Sequence, residues 1–226
     1  LQPQILFEDN HLLVINKPAG MLAQGDNTKD PSVLDVMKNI IKLRDKKPGN
    51  VYLGLVHRLD RPTSGVMVLA KTSKALSRLN KQFVDKTTSK TYWAVVSGEA
   101  ADKPTRLSHY LLRKQAQNKS YAHKKEVPNS KFSELIYTKK LALNRYTLLE
   151  IELLTGRHHQ IRAQLSAEGL CIKGDLKYGA KRPNKDGSIH LHARELTLTH
   201  PTLKESIGFT APPPKNPVWD AALKRA

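Results

Sequence analysis

The stretch HRLDRPTSGVMVLAK (residues 57–71) places a carboxylate beside two arginines, continues into a turn, and then enters an apolar run. Pro-Thr-Ser-Gly is typical of a turn, and the apolar, β-branched residues 65–70 predict a strand that is buried on both faces. Asp60 is then partly desolvated, and a desolvated carboxylate requires a cation. The candidate cations are Arg58, Arg61, Arg157 and Arg162.

The elements predicted around this stretch alternate without the strict βαβ order of a doubly wound fold. Apolar spacing predicts a helix capped by Asp30, a second capped by Ser73, and a third over residues 156–169. Residues 113–131 lack periodicity and are expected to form a mobile loop, and residues 211–219 an extended, proline-rich tail. The predicted class is mixed α/β (α+β), with a largely antiparallel central sheet flanked by helices.

Composition limits the class of protein. The chain has 226 residues, 39% of them hydrophobic, which suffices for a core and predicts a single domain over residues 1–226. The lone Cys171 excludes a disulfide framework and favours a reducing compartment, so a cytoplasmic location is expected. We find no signal peptide and no apolar run of spanning length, so no membrane association is predicted.

Charge is the strongest compositional signal. The net charge is +18, and residues 71–145 hold 17 basic and 5 acidic side chains, which is +12. An excess that is concentrated in one segment predicts a polyanionic partner. A lysine-rich surface without a partner is the alternative, but it would spread the charge evenly.

Several candidate residues have two interpretations. Asp60 is either a catalytic carboxylate or an Asx-turn residue, Tyr92 is either a site residue or part of the core, and Arg162 is either a partner of the acid or a surface cation. His57, His158 and His159, with Asp60, suggest a metal site, yet two adjacent histidines on a helix diverge by about 100°. We find no Gly-x-Ser-x-Gly elbow and no phosphate-binding loop.

One acid, a nearby aromatic side chain, a cationic helix and a basic segment together suit an enzyme that acts on a base within RNA. An aromatic ring can stack on the base, an arginine can fill the space that the base leaves, and lysines can hold phosphates. The residues alone lead no further than this.

The motifs resemble those of the RluA-type RNA pseudouridine synthases. HRLDRPTSGVMVLAKT is similar to their catalytic motif, KTYWAVVSGE to their tyrosine-bearing strand, and TGRHHQIRAQLSAEGLCIKGDLKYG to their arginine-bearing segment. DNHLLVINKPAGM, HLHARELTLTHP and FTAPPP resemble the family's opening, closing strand and tail. The resemblance implies the pseudouridine synthase catalytic fold, isomerisation of uridine in RNA without a cofactor or metal, and a monomer.

The resemblance also implies roles for individual residues. Asp60 is the expected nucleophile, Tyr92 stacks on the uracil and handles the exchanged proton, and Arg162 pairs with Asp60. The expected substrate-binding residues are Ile161 in the base pocket, Arg58 in the gap left by the flipped base, His57 near the RNA, and Lys74, Arg78 and Lys81 on the phosphates.

Two further expectations concern substrate and activity. The chain resembles a short member without the N-terminal S4-type domain. Short members act on ribosomal RNA, transfer RNA or both, so the resemblance leaves the class of RNA open. The rival functions are a catalytically silent RNA-binding protein, which would usually have lost Asp60, Tyr92 or Arg162, and a metal-dependent nuclease built on the histidines.

Overall fold

The computed structural model describes residues 2–26 and 28–224. The helices are α1 (Val33–Arg44), α2 (Ser73–Val84), α3 (Gln160–Ala167) and α4 (Pro217–Leu223). The strands are β1 (Gln4–Glu8), β2 (Leu12–Lys17), β3 (Gly54–Leu55), β4 (Ser64–Ala70), β5 (Ser89–Ser97), β6 (Thr105–Lys114), β7 (Lys119–His123), β8 (Lys131–Ala142), β9 (Thr147–Leu153), β10 (Cys171–Ile172), β11 (Leu191–Thr199) and β12 (Ser206–Thr210). The predicted class, mixed with largely antiparallel pairing, is confirmed.

The chain divides into two compact units, each made of two segments. The first unit comprises Leu1–Ser89 and Ala193–Pro213, and the second Lys90–His192 and Pro214–Ala226. The single domain over residues 1–226 stays a prediction. None of the helices in residues 2–26 and 28–224 has both the length and the apolar character to cross a membrane.

In the first unit, the strands follow the order β1-β2-β4-β11, with β12 beside β11 and β3 beside β4. All of β4 is buried, as its unbroken apolar sequence predicts. Gly65 has a φ of +122°, and a Cβ there would lie 2.2 Å from the carbonyl oxygen of Ala193. Only glycine therefore lets the strand begin this close to β11.

In the second unit, the order is β5-β9-β8-β6-β7, with β10 beside β5. Its main apolar cluster combines inward residues of β5, β8 and β9 with two residues of α3, Ile161 and Leu165. This packing covers one face of the sheet with α3, so the helix that carries Arg162 is fixed against the core.

Three helix starts differ from the sequence prediction, and that of α3 lies at Gln160 and not at residue 156. The N-cap of α1 is Ser32 and not Asp30, because Ser32 and Asp35 form a reciprocal capping box: each accepts a hydrogen bond from the other's backbone N–H, at 3.3 and 3.0 Å. The N-cap of α2 is Thr72, whose hydroxyl accepts from the Ala75 N–H at 3.1 Å, so Ser73 is already helical.

The mobile loop predicted over residues 113–131 is wrong. Most of that segment forms the end of β6, a short 3-10 helix (Gln115–Gln117) and β7, and β6 and β7 pair as an antiparallel hairpin. The extended tail is wrong from Pro217 onward, where α4 begins. Asn216 accepts hydrogen bonds from the N–H groups of Val218 and Trp219, both at 3.0 Å, and a capping residue followed by proline is a helix start.

Candidate active site

Asp60 lies in the turn that leads into β4, in the first unit. The Thr63 N–H donates to the Asp60 carbonyl oxygen at 3.0 Å, which closes the turn over Arg61 and Pro62. The preceding Leu59 is 6% exposed, and Asp60 is half-buried. The chain therefore presents this carboxylate from a hydrogen-bonded turn at the edge of the core.

Next to this turn, the first unit buries a lysine that the motifs did not single out. Lys17 ends β2 and is fully buried. Its ammonium group donates to the carbonyl oxygens of Pro18, Met21 and Arg61, at 3.0, 2.8 and 3.3 Å. The Gly20 N–H also donates to the Arg61 carbonyl oxygen, at 2.7 Å. Hydrogen bonds thus join the segment after β2 to the turn that carries the acid.

The side chain of Arg61 adds an outer contact to the same two segments. Its Nε donates to the Gly20 carbonyl oxygen at 3.0 Å, and its Nη2 to the Asp30 carboxylate at 2.7 Å. Both charged side chains are about half exposed, at 46% and 49%. An exposed pair of this kind contributes about 0.2–1 kcal/mol.

The negative charge of Asp60 acts on the ammonium group of Lys17. Burial lowers the pKa of Lys17 from 10.5 to about 7, while the negative charge of Asp60 acts in the opposite direction and raises it. Because the pKa is lower in the folded protein, the unfolded chain binds more protons above pH 7. Stability should therefore rise with pH across this window.

The expected result is that Lys17→Met removes this pH dependence. Between about pH 7 and pH 10, the unfolding free energy of the original protein should rise relative to the variant by up to about 1.4 kcal/mol per pH unit. Denaturant unfolding of both proteins at several pH values measures the slopes. The exposed Lys42 on α1 supplies the control, since Lys42→Met should leave the slope unchanged. If the unfolding free energies of the wild-type protein and of Lys17→Met change in parallel with pH, Lys17 keeps its proton in the folded protein.

The structure places His57 and Arg58 differently within the same unit. Nε2 of His57 accepts from the Val68 N–H at 3.1 Å, and the imidazole stacks on Phe83 with ring centroids 4.9 Å apart. Arg58 is exposed. His57 therefore joins β4 to α2, and contact of either residue with RNA stays a prediction.

The three cations expected on α2 are all exposed, as their i, i+4, i+7 spacing predicts. Nη1 of Arg78 donates to the Pro201 carbonyl oxygen at 2.7 Å, next to the β11–β12 connection. Lys81 pairs with Asp85 at 2.7 Å. Lys74 lies one turn before Arg78, so α2 carries a continuous basic face.

Tyr92 and Ile161 belong to the second unit. Tyr92 lies in β5 opposite Ile151 of β9, is half-buried, and packs against the apolar cluster that contains Ile161. Ile161 is 5% exposed. The structure therefore brings both residues to one cluster, and their contact with a base stays a prediction.

Arg162 is buried on α3 and held by a second carboxylate. Its Nε and Nη2 donate to the two carboxylate oxygens of Asp175, at 2.7 and 2.8 Å. Arg162 is 5% exposed and Asp175 1%. This bidentate geometry fixes the plane of the guanidinium. This contact uses two of the five N–H donors of the guanidinium. The pairing of Arg162 with Asp60 of the first unit stays a prediction.

The guanidinium lies over the ring of Tyr178, with Cζ of Arg162 4.9 Å from the ring centroid. The Tyr178 hydroxyl accepts from the Ser120 N–H at 2.8 Å and lies 3.0 Å from Nδ1 of His159. Burial, with the charge of Arg162, lowers the pKa of His159 to about 2. The imidazole is therefore neutral at neutral pH and shares a hydrogen bond with the Tyr178 hydroxyl through Nδ1.

The two adjacent histidines are not on a helix, so that expectation is wrong. His159 has a φ of 51° and precedes α3 as its N-cap, and its ring stacks on His158 at 3.8 Å. His158 is bonded to Ser120 at 2.8 Å and Asn118 at 3.1 Å. Within residues 2–26 and 28–224, no group of three or more His, Cys, Asp or Glu side chains is arranged to hold a metal ion.

Lys17, Asp175 and Tyr178 are the site residues that sequence reasoning missed. A signal existed for each. Lys17 is the one charged residue at the end of the largely apolar run LLVINK, and Asp175 and Tyr178 lie between two glycines, Gly174 and Gly179. In the fold both glycines have positive φ. Two such glycines indicate a constrained connection and not an ordinary surface loop.

Comparison with known proteins identifies the family. Residues 11–167 match the RNA pseudouridylate synthase family, a range that includes Asp60, Tyr92 and Arg162. A ribosomal large subunit pseudouridine synthase C of Vibrio vulnificus is 34% identical over 94% of this chain and 66% of its own length. An uncharacterized RNA pseudouridine synthase of Bacillus subtilis is 35% identical over 93% and 68%. The chain thus spans about two thirds of the length of these relatives.

Solved structures agree with this assignment. The human RNA pseudouridylate synthase domain containing 4 matches with a TM-score of 0.79 and 25% identity, over 98% of this chain and 92% of its own. The human domain containing 1 matches with a TM-score of 0.74 and 25% identity, over 97% and 87%. The predicted pseudouridine synthase fold is confirmed, and the predicted enzyme class is confirmed at the level of the family. The chain belongs to the RNA pseudouridylate synthase family and is of the RluA type that its motifs predict.

Proposed function

We propose that this protein isomerises specific uridines in structured RNA to pseudouridine. The observation that carries the proposal is the family match over residues 11–167, because it spans the acid, the tyrosine and the arginine that the motifs single out. The hydrogen-bonded turn that presents Asp60 supports it, since a nucleophile must be held in a fixed position.

The chemistry requires one bond to break and another to form. The N1–C1′ bond of uridine is cleaved, the uracil turns, and a C5–C1′ bond replaces it; C5 loses a proton and N1 gains one. Asp60 acts as the nucleophile on the uridine or on the species derived from it, so that the base is detached while it turns. The reaction is an isomerisation and requires neither an oxidant nor a cofactor.

The other residues serve binding and charge. Tyr92 stacks on the uracil and handles the proton that leaves C5, and Ile161 lines the base pocket. Arg162 pairs with the Asp60 carboxylate, and its bond to Asp175 fixes the guanidinium for that contact. Arg58 fills the space that the extruded base leaves, which offsets part of the few kcal/mol that extrusion costs.

Ribosomal RNA is the substrate that we propose first, because relatives that match most of this chain carry the name of a ribosomal large subunit enzyme. Transfer RNA is the second candidate. We further propose that the protein acts as a monomer in the cytoplasm, and size-exclusion chromatography with light scattering tests the first of these two points.

Pseudouridine mapping tests the function. Total RNA from cells with and without the protein is mapped by chemical labelling, and the purified protein is then added to the deficient RNA in the presence of EDTA. The expected result is that specific sites are lost and are restored in vitro without strand cleavage. An identical pseudouridine map in both cell types, with RNA still bound by the protein, would favour the silent RNA-binding protein, whereas EDTA-sensitive cleavage would favour the nuclease.

The basic face of α2 gives a prediction about RNA affinity. Replacing Lys74, Arg78 and Lys81 together by Gln should weaken RNA binding and lower the slope of log affinity against log salt by up to about 2, at roughly 0.7 for each phosphate contact with single-stranded RNA. Filter binding at several salt concentrations measures the slope. An unchanged slope would place α2 outside the interface.

A further inference from the structure

The β6–β7 hairpin has one packed face and one open face. Leu111 and Ala122, which are directly opposite in the register, contribute to a cluster with Ala163 of α3 and Tyr178. Side chains alternate along a strand, so the neighbouring residues on each strand point the other way. The other face, called here the hairpin outer face, consists of the opposed pairs Tyr110 and His123, Leu112 and Tyr121, and Lys114 and Lys119. Lys114 is exposed and the other five residues are half-buried.

Two positive charges oppose each other on the hairpin outer face. Lys114 and Lys119 occupy directly paired positions, an arrangement of like charges that destabilises a sheet. Their ammonium groups lie 5.2 and 5.3 Å from the ring centroid of Tyr121. Cation–π attraction offsets part of the repulsion. The Lys119 ammonium also lies 5.1 Å from the ring centroid of Tyr178, so it sits at the edge of the hairpin, and the two charges beside Tyr121 attract an anion.

Further basic and aromatic side chains surround the pair of Lys114 and Lys119. Residues 105–131 contain 7 basic side chains and 1 acidic one, which is +6 of the chain's net +18. Tyr110 pairs in register with Phe132 of β8 on its other side, with ring centroids 5.7 Å apart, and Phe132 is 44% exposed. An alternative role for these lysines is to protect the exposed edge strand β7 from pairing with another chain. That role explains the lysines but does not explain the exposed aromatic rings beside them.

We propose that the hairpin outer face is a docking surface for single-stranded or looped RNA. Lys114 and Lys119 bind phosphates, and Tyr121 stacks on a base. Interleaved cations and aromatic rings are the usual combination in proteins that bind single strands without reading their sequence. The identification of the partner as RNA rests on the proposed function.

Three variants and two probes test the surface. The variants are Lys114→Gln/Lys119→Gln, Tyr121→Leu, and the control Lys42→Gln/Lys47→Gln, which removes two exposed lysines of the first unit. The probes are a 20-nucleotide oligouridylate and heparin, a polyanion without bases. Thermal melts establish that each variant is folded. Dissociation constants are measured over a range of salt concentrations.

The two hairpin variants should respond differently to the probes. The double lysine variant should weaken binding of both probes and lower the salt slope for RNA by about 1.4. Tyr121→Leu should weaken RNA binding by roughly 5- to 160-fold, from about 1–3 kcal/mol per stacked base, and leave heparin binding unchanged. The control should leave the RNA slope unchanged. RNA affinities equal to those of the original protein in both hairpin variants would overturn the proposal, whether the surface then binds an acidic protein or nothing.

Binding and catalysis fail separately in this design. If the protein forms no pseudouridine in any RNA but the hairpin variants still lose RNA affinity, the docking surface stands and the proposed function falls. If the protein forms pseudouridine and the hairpin variants bind and modify RNA normally, the docking surface alone falls.

Discussion

Asp60→Asn is expected to lower the rate of pseudouridine formation by at least about 10⁴-fold, the scale on which loss of a nucleophile is felt. Asparagine has nearly the same shape, and the hydrogen bond that closes the turn uses the backbone oxygen of residue 60, so the turn should persist. Single-turnover kinetics on the mapped RNA measures the rate, and RNA affinity should stay unchanged. Full activity in this variant would exclude Asp60 as the nucleophile.

The same variant has a second expected effect, which does not depend on catalysis. The charge of Asp60 raises the pKa of Lys17, so its removal should lower that pKa further and extend the pH dependence of stability below pH 7. Asp102→Asn is the matched control, because it also neutralises an aspartate but one whose side chain is 89% exposed and paired with Lys139. Asp102→Asn should leave both activity and the pH profile unchanged.

Asp175→Asn should have the next largest effect, on stability and on rate. The buried guanidinium of Arg162 would lose its carboxylate, and breaking a buried pair in this way costs about 3–5 kcal/mol of unfolding free energy. If Asp175 orients Arg162 for the reaction, kcat should also fall by about 100-fold, equivalent to about 2.7 kcal/mol, with little change in KM. Both constants are measured well below the melting temperature.

A double variant separates these two effects. Arg162→Met with Asp175→Leu removes both charges and fills similar space, a change that is often neutral or stabilising for a buried pair. Stability should return toward that of the original protein, while activity should stay low because the guanidinium is gone. A double variant that regained both would show that Arg162 serves only the fold, and Asp175→Asn with normal kcat would remove Asp175 from any positioning role.

Features determined by neighbouring residues could be predicted from the sequence. The turn before β4, the burial of β4 and the basic face of α2 each follow from a short run of residues with a clear pattern. The residues 113–131 did not follow such a pattern, because their strands carry lysines on the open face and are stabilised by packing on α3 and Tyr178. Tertiary packing of this kind overrides local propensity in strands.

Site residues with distant partners were the hardest to predict. The Lys17 ammonium bonds to a carbonyl 44 residues away, and Asp175 is 13 residues from Arg162. The sequence shows that a lysine or an aspartate is present. The partner that offsets the cost of removing its charge from water can be identified only in the folded structure. The roles of Asp60, Tyr92 and Arg162 came from the resemblance, and the alternatives for each stayed open on the residues alone.

The discontinuity of the two units has a consequence for synthesis on the ribosome. Strand β11, which lies beside β4, begins at Leu191, so the first unit cannot complete its sheet until more than a hundred further residues have been translated. At about 5–20 residues per second, the buried strand that follows Asp60 waits for roughly 6 to 24 seconds with an open edge in the nascent chain. Chaperone dependence should therefore be greatest at this stage, and a fragment that ends at Ser89 should aggregate when it is expressed alone.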